Sequence, residues 1–411
     1  MWQDSTEERE PMDVCVLEGS DAILKRVSLL EMLAERCGQP GAMHWLGYFL
    51  GGGGAKWKRP VLVLLVKPGV DGHGRVEADD LHAAVLFYEL RVLGFGTGAY
   101  TTDDLEGIRT VVAPAGMRSY VTARAVRALL RQKAHVVLTS YACTKLDGKH
   151  PGPVLRASEV RWAERDRAVK KQLQLADTYD GTLAKFGKTT RTNMRFYRKR
   201  MLAKMDCKLV ADVQTLLSEA DISALNAASL NPVPDAECLR RFRASRDLPG
   251  GFLVGLRGAE GQWLSMAGGW RHGSTTVVHY QMNAAGYRKD SLGTVMRAFL
   301  LEHEVGLGTK TLVFYRGTPH PMSHAFDDEV VRDLLVCRTS WRAALLRRLA
   351  EIVDARNFWG STAFLAAAMV SDEWNWTRGA AADAIAEGLP VAETLERFTA
   401  NSNESLEYGL K

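Results

Sequence analysis

The chain has 411 residues with 46% hydrophobic and 25% charged side chains, an ordinary globular balance that excludes wholesale disorder and is enough for two domain-sized cores. Its net charge of +5, from 53 Lys and Arg against 48 Asp and Glu, is too mild to name a nucleic-acid or membrane partner from the total alone. The six cysteines lie apart with no C-x-x-C pair, so neither a zinc site nor a disulfide framework is indicated, and metal binding has no support. The acidic start from Met1 to Glu10 lacks a basic n-region, and apolar runs such as Val61 to Val66 are far short of a span, so a cytoplasmic protein is expected.

In chain order, Pro60 to Val66, Ala83 to Leu90 and Ile108 to Val112 read as strands, Tyr120 to Arg131 as a helix, and His135 to Leu138 as a buried strand. Gly51 to Gly54 lacks the Lys-Ser/Thr of a P-loop and reads as a flexible loop, and Gly94 to Gly98 is not followed by a helix with dinucleotide-site features. Lys149 to Pro153 is a break, and Ser158 to Lys171 reads as a charged linking helix with a domain boundary near residue 175. Phe252 to Leu256, Trp263 to Trp270 and Thr276 to Met282 then read as three antiparallel strands, followed by a helix from about Leu292 to Glu304 and a strand from Thr311 to Tyr315. The two stretches share a layout, which suggests internal duplication. Beyond residue 330 the pattern predicts helices over Val330 to Ala355 and Gly360 to Ala400, then a polar end from Asn401 to Lys411.

Two segments carry chemistry. From Lys185 to Lys204 there are eight Lys and Arg and no acid, with Lys188, Arg191, Arg195 and Arg198 on one helical face and Met194, Tyr197, Met201 and Met205 on another. Forked guanidinium groups suit phosphate or carboxylate, which makes Lys188, Arg191, Asn193 and Arg195 candidates for a substrate or anion site; a plain solvated helix is the competing reading. The second segment, Tyr287 to Met296, sets Ser291, Leu292, Gly293 and Thr294 at a helix start, where free N–H groups and the positive dipole end favour an anion.

The run Gly187 to Arg200 resembles the signature that opens the second domain of CelD/BioF-like acyltransferases, in the GNAT superfamily, and Ser291 to Thr294 resembles the S-x-G-T turn that binds CoA there. The general GNAT form with two glycines is matched only loosely, and Met194 stands where Ile is usual. The resemblance covers roughly residues 40 to 345. It implies an α+β chain with two GNAT-like domains, each a mixed, mostly antiparallel sheet flanked by helices: a degenerate one over 20–175, the acyltransferase domain over 176–345, and a helical extension and tail over 346–411. It also implies acetyl-CoA or another acyl-CoA as co-substrate, held by Gln281 and Ser291 to Thr294, and a small-molecule or sugar-like acceptor. The backbone amide near Tyr280 or Gln281 is expected to hold the acyl carbonyl.

His279, on the strand that meets the cofactor, is the first candidate for general base, with Tyr280 and His324 as further catalytic candidates; His320 lies in the same loop as His324. Strict alternation predicts that His279 shares a face with Val277 and Gln281, opposite Tyr280. The Tyr-Lys pair common in that loop in family members is missing. A second reading is a Fem-type transferase with aminoacyl-tRNA as its partner; a third is a non-catalytic module binding nucleic acid or an acidic partner.

Overall fold

In a computed structural model the chain is described at residues 12–39, 43, 45–51, 58–71, 74, 76–92, 94–102, 110–143, 160–315, 320–338 and 376–378. It divides into two compact units, one of residues 1–39, 53–167 and 330–411, the other of residues 40–52 and 168–329. The predicted helix over Gly360 to Ala400 lies outside the described residues apart from a short strand, Trp376–Arg378, and the polar end from Asn401 lies outside them altogether.

In the first unit the strands β1 (Asp13–Glu18), β2 (Lys58–Val66), β3 (Leu81–Val92) and β4 (Phe95–Thr101) form an antiparallel meander. A two-residue strand, β5 (Val111–Val112), adds to β3. The helix α4 (Arg118–Gln132) then crosses over to β6 (Val136–Ala142), which lies parallel to β4. Three further helices, α1 (Ser20–Leu24), α2 (Val27–Arg36) and α3 (Leu46–Gly51), precede β2, and α3 belongs to the second unit. Val121, Ala125, Val126 and Leu129 of α4 are buried against Val63, Leu65, Val85 and Phe87, the i, i+4 stripe that makes this helix amphipathic.

The second unit repeats that order. The strands β9 (Gly251–Arg257), β10 (Trp263–His272) and β11 (Thr275–Asn283) are antiparallel, α9 (Leu292–Gly306) crosses over, and β12 (Thr311–Phe314) pairs in parallel with β11. Ahead of them come α5 (Tyr179–Ala184), the basic helix α6 (Lys188–Met205), the short β8 (Lys208–Val210), α7 (Glu219–Ala227) and α8 (Asp235–Asp247). Ser218 starts α7 with a reciprocal capping box to Asp221. The shared connectivity is that of the mixed α+β fold expected from the sequence.

Two predicted helices are strands. Val160–Gln174 is β7, whose end pairs with β12 in the second unit (Leu173↔Leu312), although its Glu, Arg, Lys and Ala content favours helix. The alternation Gln172, Leu173, Gln174, Leu175 is the local sign of a strand, and pairing decided the outcome. Asp327–Arg338 is β13, paired with β6 in the first unit from Val331↔Ala142 to Cys337↔Val136. Its central residues, Val331 to Val336, are buried on both faces, and with Arg332 and Asp333 among them they show no apolar–polar alternation to mark a strand. Of the helix predicted over Val330 to Ala355, only the part up to Arg338 is described. The strand β4 takes in most of the Gly94 to Gly98 stretch, and there Gly98 takes φ +73° beside His135.

Candidate functional site in the second unit

The bulge in β11 organises the site. Gly268 faces Tyr280 and Gly269 faces Val278, so His279 is the extra residue. A Cβ on Gly269 would lie 1.9 Å from the Val277 carbonyl oxygen, and one on Gly268 would lie 2.6 Å from the Tyr280 ring, so both glycines are needed for this close approach. Val278 packs in the core built with α6 and α9, whereas Tyr280 and Met282 pack with Ile222, Cys238 and Phe242 of α7 and α8. His279 sits among the rings of Trp270, Tyr48 and Tyr280, on the side of Tyr280. This corrects the alternation expected from sequence: the bulge turns His279 and Tyr280 to one side and Gln281 to the other.

His279 is half-buried within an aromatic enclosure. Its ring lies 4.6 Å from that of Tyr315, 5.0 Å from Tyr48, 5.9 Å from Trp270 and 6.0 Å from each of Trp45 and Phe49, centroid to centroid. Trp45, Tyr48 and Phe49 arrive with α3, from a segment more than two hundred residues earlier, and no local pattern announces them. The Tyr280 hydroxyl shares a hydrogen bond with Ser245 Oγ (3.1 Å), and burial holds the phenol neutral well above its ordinary range despite that bond. Its oxygen is thus committed to α8.

On the other side of β11, the Gln281 Nε2 group donates to Asn283 Oδ1 (3.0 Å) and reaches the Gly293 carbonyl (3.5 Å), which ties the strand to the first turn of α9. The parallel pairing of β11 with β12 ends at Val278↔Phe314, with a last bond from Tyr315 N–H to the Val278 carbonyl (2.9 Å). Beyond Tyr315 no described strand continues the ladder on that edge, and its far end is met by the Leu230 N–H, which donates to the Asn283 carbonyl (2.7 Å) next to a bridge between Ser229 and Ala284. Between these two contacts the edge passes the helix start at Gln281.

That start is built with strain. Ser291 takes the left-handed conformation (φ 53°, ψ 44°), which costs a non-glycine residue about 1 kcal/mol or more. It is held by the preceding residue: the buried Asp290 carboxylate takes ion pairs from Arg200 (3.1 Å) and Lys204 (2.8 Å) of α6. The Ser291 carbonyl accepts from Thr294 and Val295 N–H, and the N–H groups of Leu292 and Gly293 open the helix, where no intrahelical acceptor exists for them. Gly293 leaves room: a Cβ there would meet only the Asn283 and Gln281 amides, at 3.7 and 3.8 Å.

The basic helix uses most of its cations internally. Arg195 pairs with Asp180 (2.9 Å), Arg198 bonds Glu302 and stacks on Tyr179 and Phe299, Arg191 reaches the Ala184 carbonyl (3.4 Å), and Lys185 reaches that of Gln174 (2.8 Å). Lys188 and Asn193 are exposed. Met194 and Met201 are buried and Tyr197 and Met205 partly so, which is the apolar stripe read from spacing. Of the four residues read as an anion site, Arg195 is the one ion-paired among the described residues, and that pair with Asp180 is exposed.

His324 is exposed, on the turn that follows β12, whereas His320 meets the helix start. The Met322 N–H donates to His320 Nδ1 (3.2 Å), so Nε2 carries the proton and donates to Thr294 Oγ1 (3.0 Å). Burial, and then the nearby Arg297 charge, push the His320 pKa down to about 4, so the ring is neutral near pH 7.

Among the described residues no three His, Cys, Asp or Glu side chains gather to hold a metal ion, and none of the six cysteines is disulfide-bonded. No helix among them is long and apolar enough to cross a membrane.

No family model matches the chain, and no curated protein does. Solved structures do resemble it. A tandem GNAT protein from the clavulanic acid biosynthesis pathway is 11% identical over 79% of this chain and 98% of its own, with a TM-score of 0.39. The L-PGS of Bacillus licheniformis is 12% identical over 76% of this chain and 91% of its own (TM-score 0.44), and FemX is 11% identical over 77% and 96% (TM-score 0.44).

Proposed function

We propose that the second unit is an acyltransferase domain that takes an acetyl or other acyl group from acyl-CoA and passes it to an amine or hydroxyl of a small-molecule acceptor. The observation that carries this reading is the edge of β11, which loses its strand partner after Val278 and runs on to Gln281, whose side chain reaches the first turn of α9. A pantetheine chain, with its two amides, suits such an edge, and a pyrophosphate suits the N–H groups of Leu292 and Gly293. The resemblance of Ser291 to Thr294 to a CoA-binding turn points the same way.

In this reading the acceptor nitrogen attacks the thioester carbonyl carbon, the C–S bond breaks, and the sulfur leaves as a thiolate that takes up a proton. The backbone amide of Tyr280 or Gln281 holds the carbonyl oxygen as charge develops on it. His279 accepts the proton that the attacking amine loses, since imidazole titrates near neutral pH. Tyr280 forms the wall beside it.

Calorimetric titration with acetyl-CoA, desulfo-CoA and tRNA at two salt concentrations tests this. Saturable binding of both CoA compounds with a shallow salt dependence is expected. No CoA binding, together with tRNA binding that collapses as salt rises, overturns it in favour of the tRNA-dependent reading. For the base, His279→Gln is expected to lower kcat by about 10²-fold or more while leaving the acetyl-CoA Kd unchanged. An unchanged kcat across the pH profile removes His279 from the chemistry.

A further inference from the structure

On the Tyr280 side of β11 a small cavity opens to solvent, with walls that include Asn226, Asn231, Cys238, Arg241, Tyr280 and Met282. One wall carries a charge excess. Glu237 of α8 accepts from Arg240 through Oε2 (2.6 Å), and from Arg241 (2.7 Å) and the Tyr48 hydroxyl (2.9 Å) through Oε1. Two guanidinium groups on one carboxylate leave one positive charge. Burial opposes charge on this cluster, yet the Arg240 hydrogen bond and the Arg241 field hold the Glu237 carboxyl below its usual range, so all three groups are ionised.

The two arginines differ in what they face. Arg240 stacks on the Tyr48 ring (4.1 Å) and donates to the Tyr48 carbonyl (2.7 Å), whereas Arg241 lies beside the Tyr280 ring (5.8 Å) at the cavity wall. Glu237 takes the Arg241 Nε–H and the Tyr48 hydroxyl also meets this guanidinium, yet with five N–H donors it keeps capacity for a further oxygen pair.

We propose that this cavity anchors the acceptor by a carboxylate held on Arg241, so that the acceptor class is an amine- or hydroxyl-bearing carboxylic acid. A single negative charge matches the excess of one, whereas a phosphate dianion would overshoot it. The placement suits the reaction: the cavity meets the strand at Tyr280 to Met282, beside the bulge that aims His279 to the same side. The proposal rests on the acyl-transfer reading only for the word acceptor; an anion on Arg241 is observable without acyl-CoA.

The test measures binding of glycine, β-alanine and 4-aminobutyrate, and of ethylamine and propylamine as partners lacking the carboxylate, by saturation-transfer NMR on the full chain. At least one amino acid is expected to bind, about 10-fold or more above its amine, and Arg241→Gln is expected to remove that difference while leaving the acetyl-CoA Kd unchanged. Should R241Q fail to fold, Asn231→Asp decides, because an exposed rim residue made acidic repels a carboxylate and spares the amines. Equal binding of acids and amines, no binding of any acid, or binding that neither variant changes overturns the proposal. Acid binding that depends on Arg241 without any acetyl-CoA binding sinks the acyl-transfer reading and keeps the cavity; the reverse keeps acyl transfer and sinks the cavity.

Discussion

Gly293→Trp is expected to abolish acetyl-CoA binding, raising Kd about 100-fold or more, while the protein still folds. The helix start needs no glycine for its own sake: Gly293 is not among the positive-φ glycines, and its absent Cβ would make only ordinary contacts with the Asn283 and Gln281 amides. What the missing side chain leaves is space in front of the Leu292 and Gly293 N–H groups, where a phosphate approaches the backbone directly. Gly293→Ala separates the two roles. Alanine is the better helix former by up to about 1 kcal/mol, so G293A is expected to raise the thermal midpoint slightly and weaken donor binding at the same time. Titration of both variants with acetyl-CoA, beside thermal denaturation, reads the outcome. Wild-type affinity in G293W removes the donor from this turn.

The elements that frame this turn were legible because each obeys a single period. Leu292, Val295, Met296 and Phe299 repeat as one helical face, and Thr311 to Phe314 is a short apolar run after a glycine stop. The position of His279 was not legible from period alone. Alternation fails at a bulge, and the signal that marks one lies on the neighbouring strand, in Gly268 and Gly269, whose missing side chains admit the Tyr280 ring and the Val277 carbonyl. The enclosure by Trp45, Tyr48 and Phe49 left no mark near His279, because contacts across two hundred residues obey packing and no local rule. The partners of the α6 charges were not legible for a related reason: Asp180, Asp290 and Glu302, which engage Arg195, Arg200, Lys204 and Arg198, lie outside the run. The anion-facing excess at Arg240 and Arg241 went unread, since in sequence it looks like an ordinary i, i+3 and i, i+4 pairing with Glu237.

The second large effect concerns a carboxylate that the chemistry does not use. Glu304 of α9 has no exposed surface, yet it accepts from Arg271 Nη2 on β10 (2.6 Å), Thr276 on β11 (2.6 Å) and Thr309 ahead of β12 (2.8 Å). One side chain therefore joins the crossover helix to the strands that carry the candidate site. Burial raises the cost of its charge, but the Arg271 bond and field, with both hydroxyls, outweigh it and hold the carboxyl below its usual range. Removing either partner strands the other, a loss of about 3–5 kcal/mol for buried pairs. Arg271 keeps a quarter of its side chain exposed and can rehydrate, whereas Glu304 cannot. Glu304→Ala is thus expected near the lower end of that range at pH 7, and Arg271→Ala nearer the upper. The pH dependence then separates them. A carboxylate with a depressed folded pKa stabilises fully above its unfolded value, and that contribution fades as pH falls through the folded one. Wild-type stability is therefore expected to lose this increment in acid, and Glu304→Ala to lack that part of the acid limb. In Arg271→Ala the stranded Glu304 carboxyl takes up a proton more readily, so the deficit against wild type shrinks as pH falls. Denaturant unfolding of the three proteins between pH 7 and acid measures the curves; a deficit in R271A that grows on acidification overturns the assignment of Arg271 as the group that keeps Glu304 ionised.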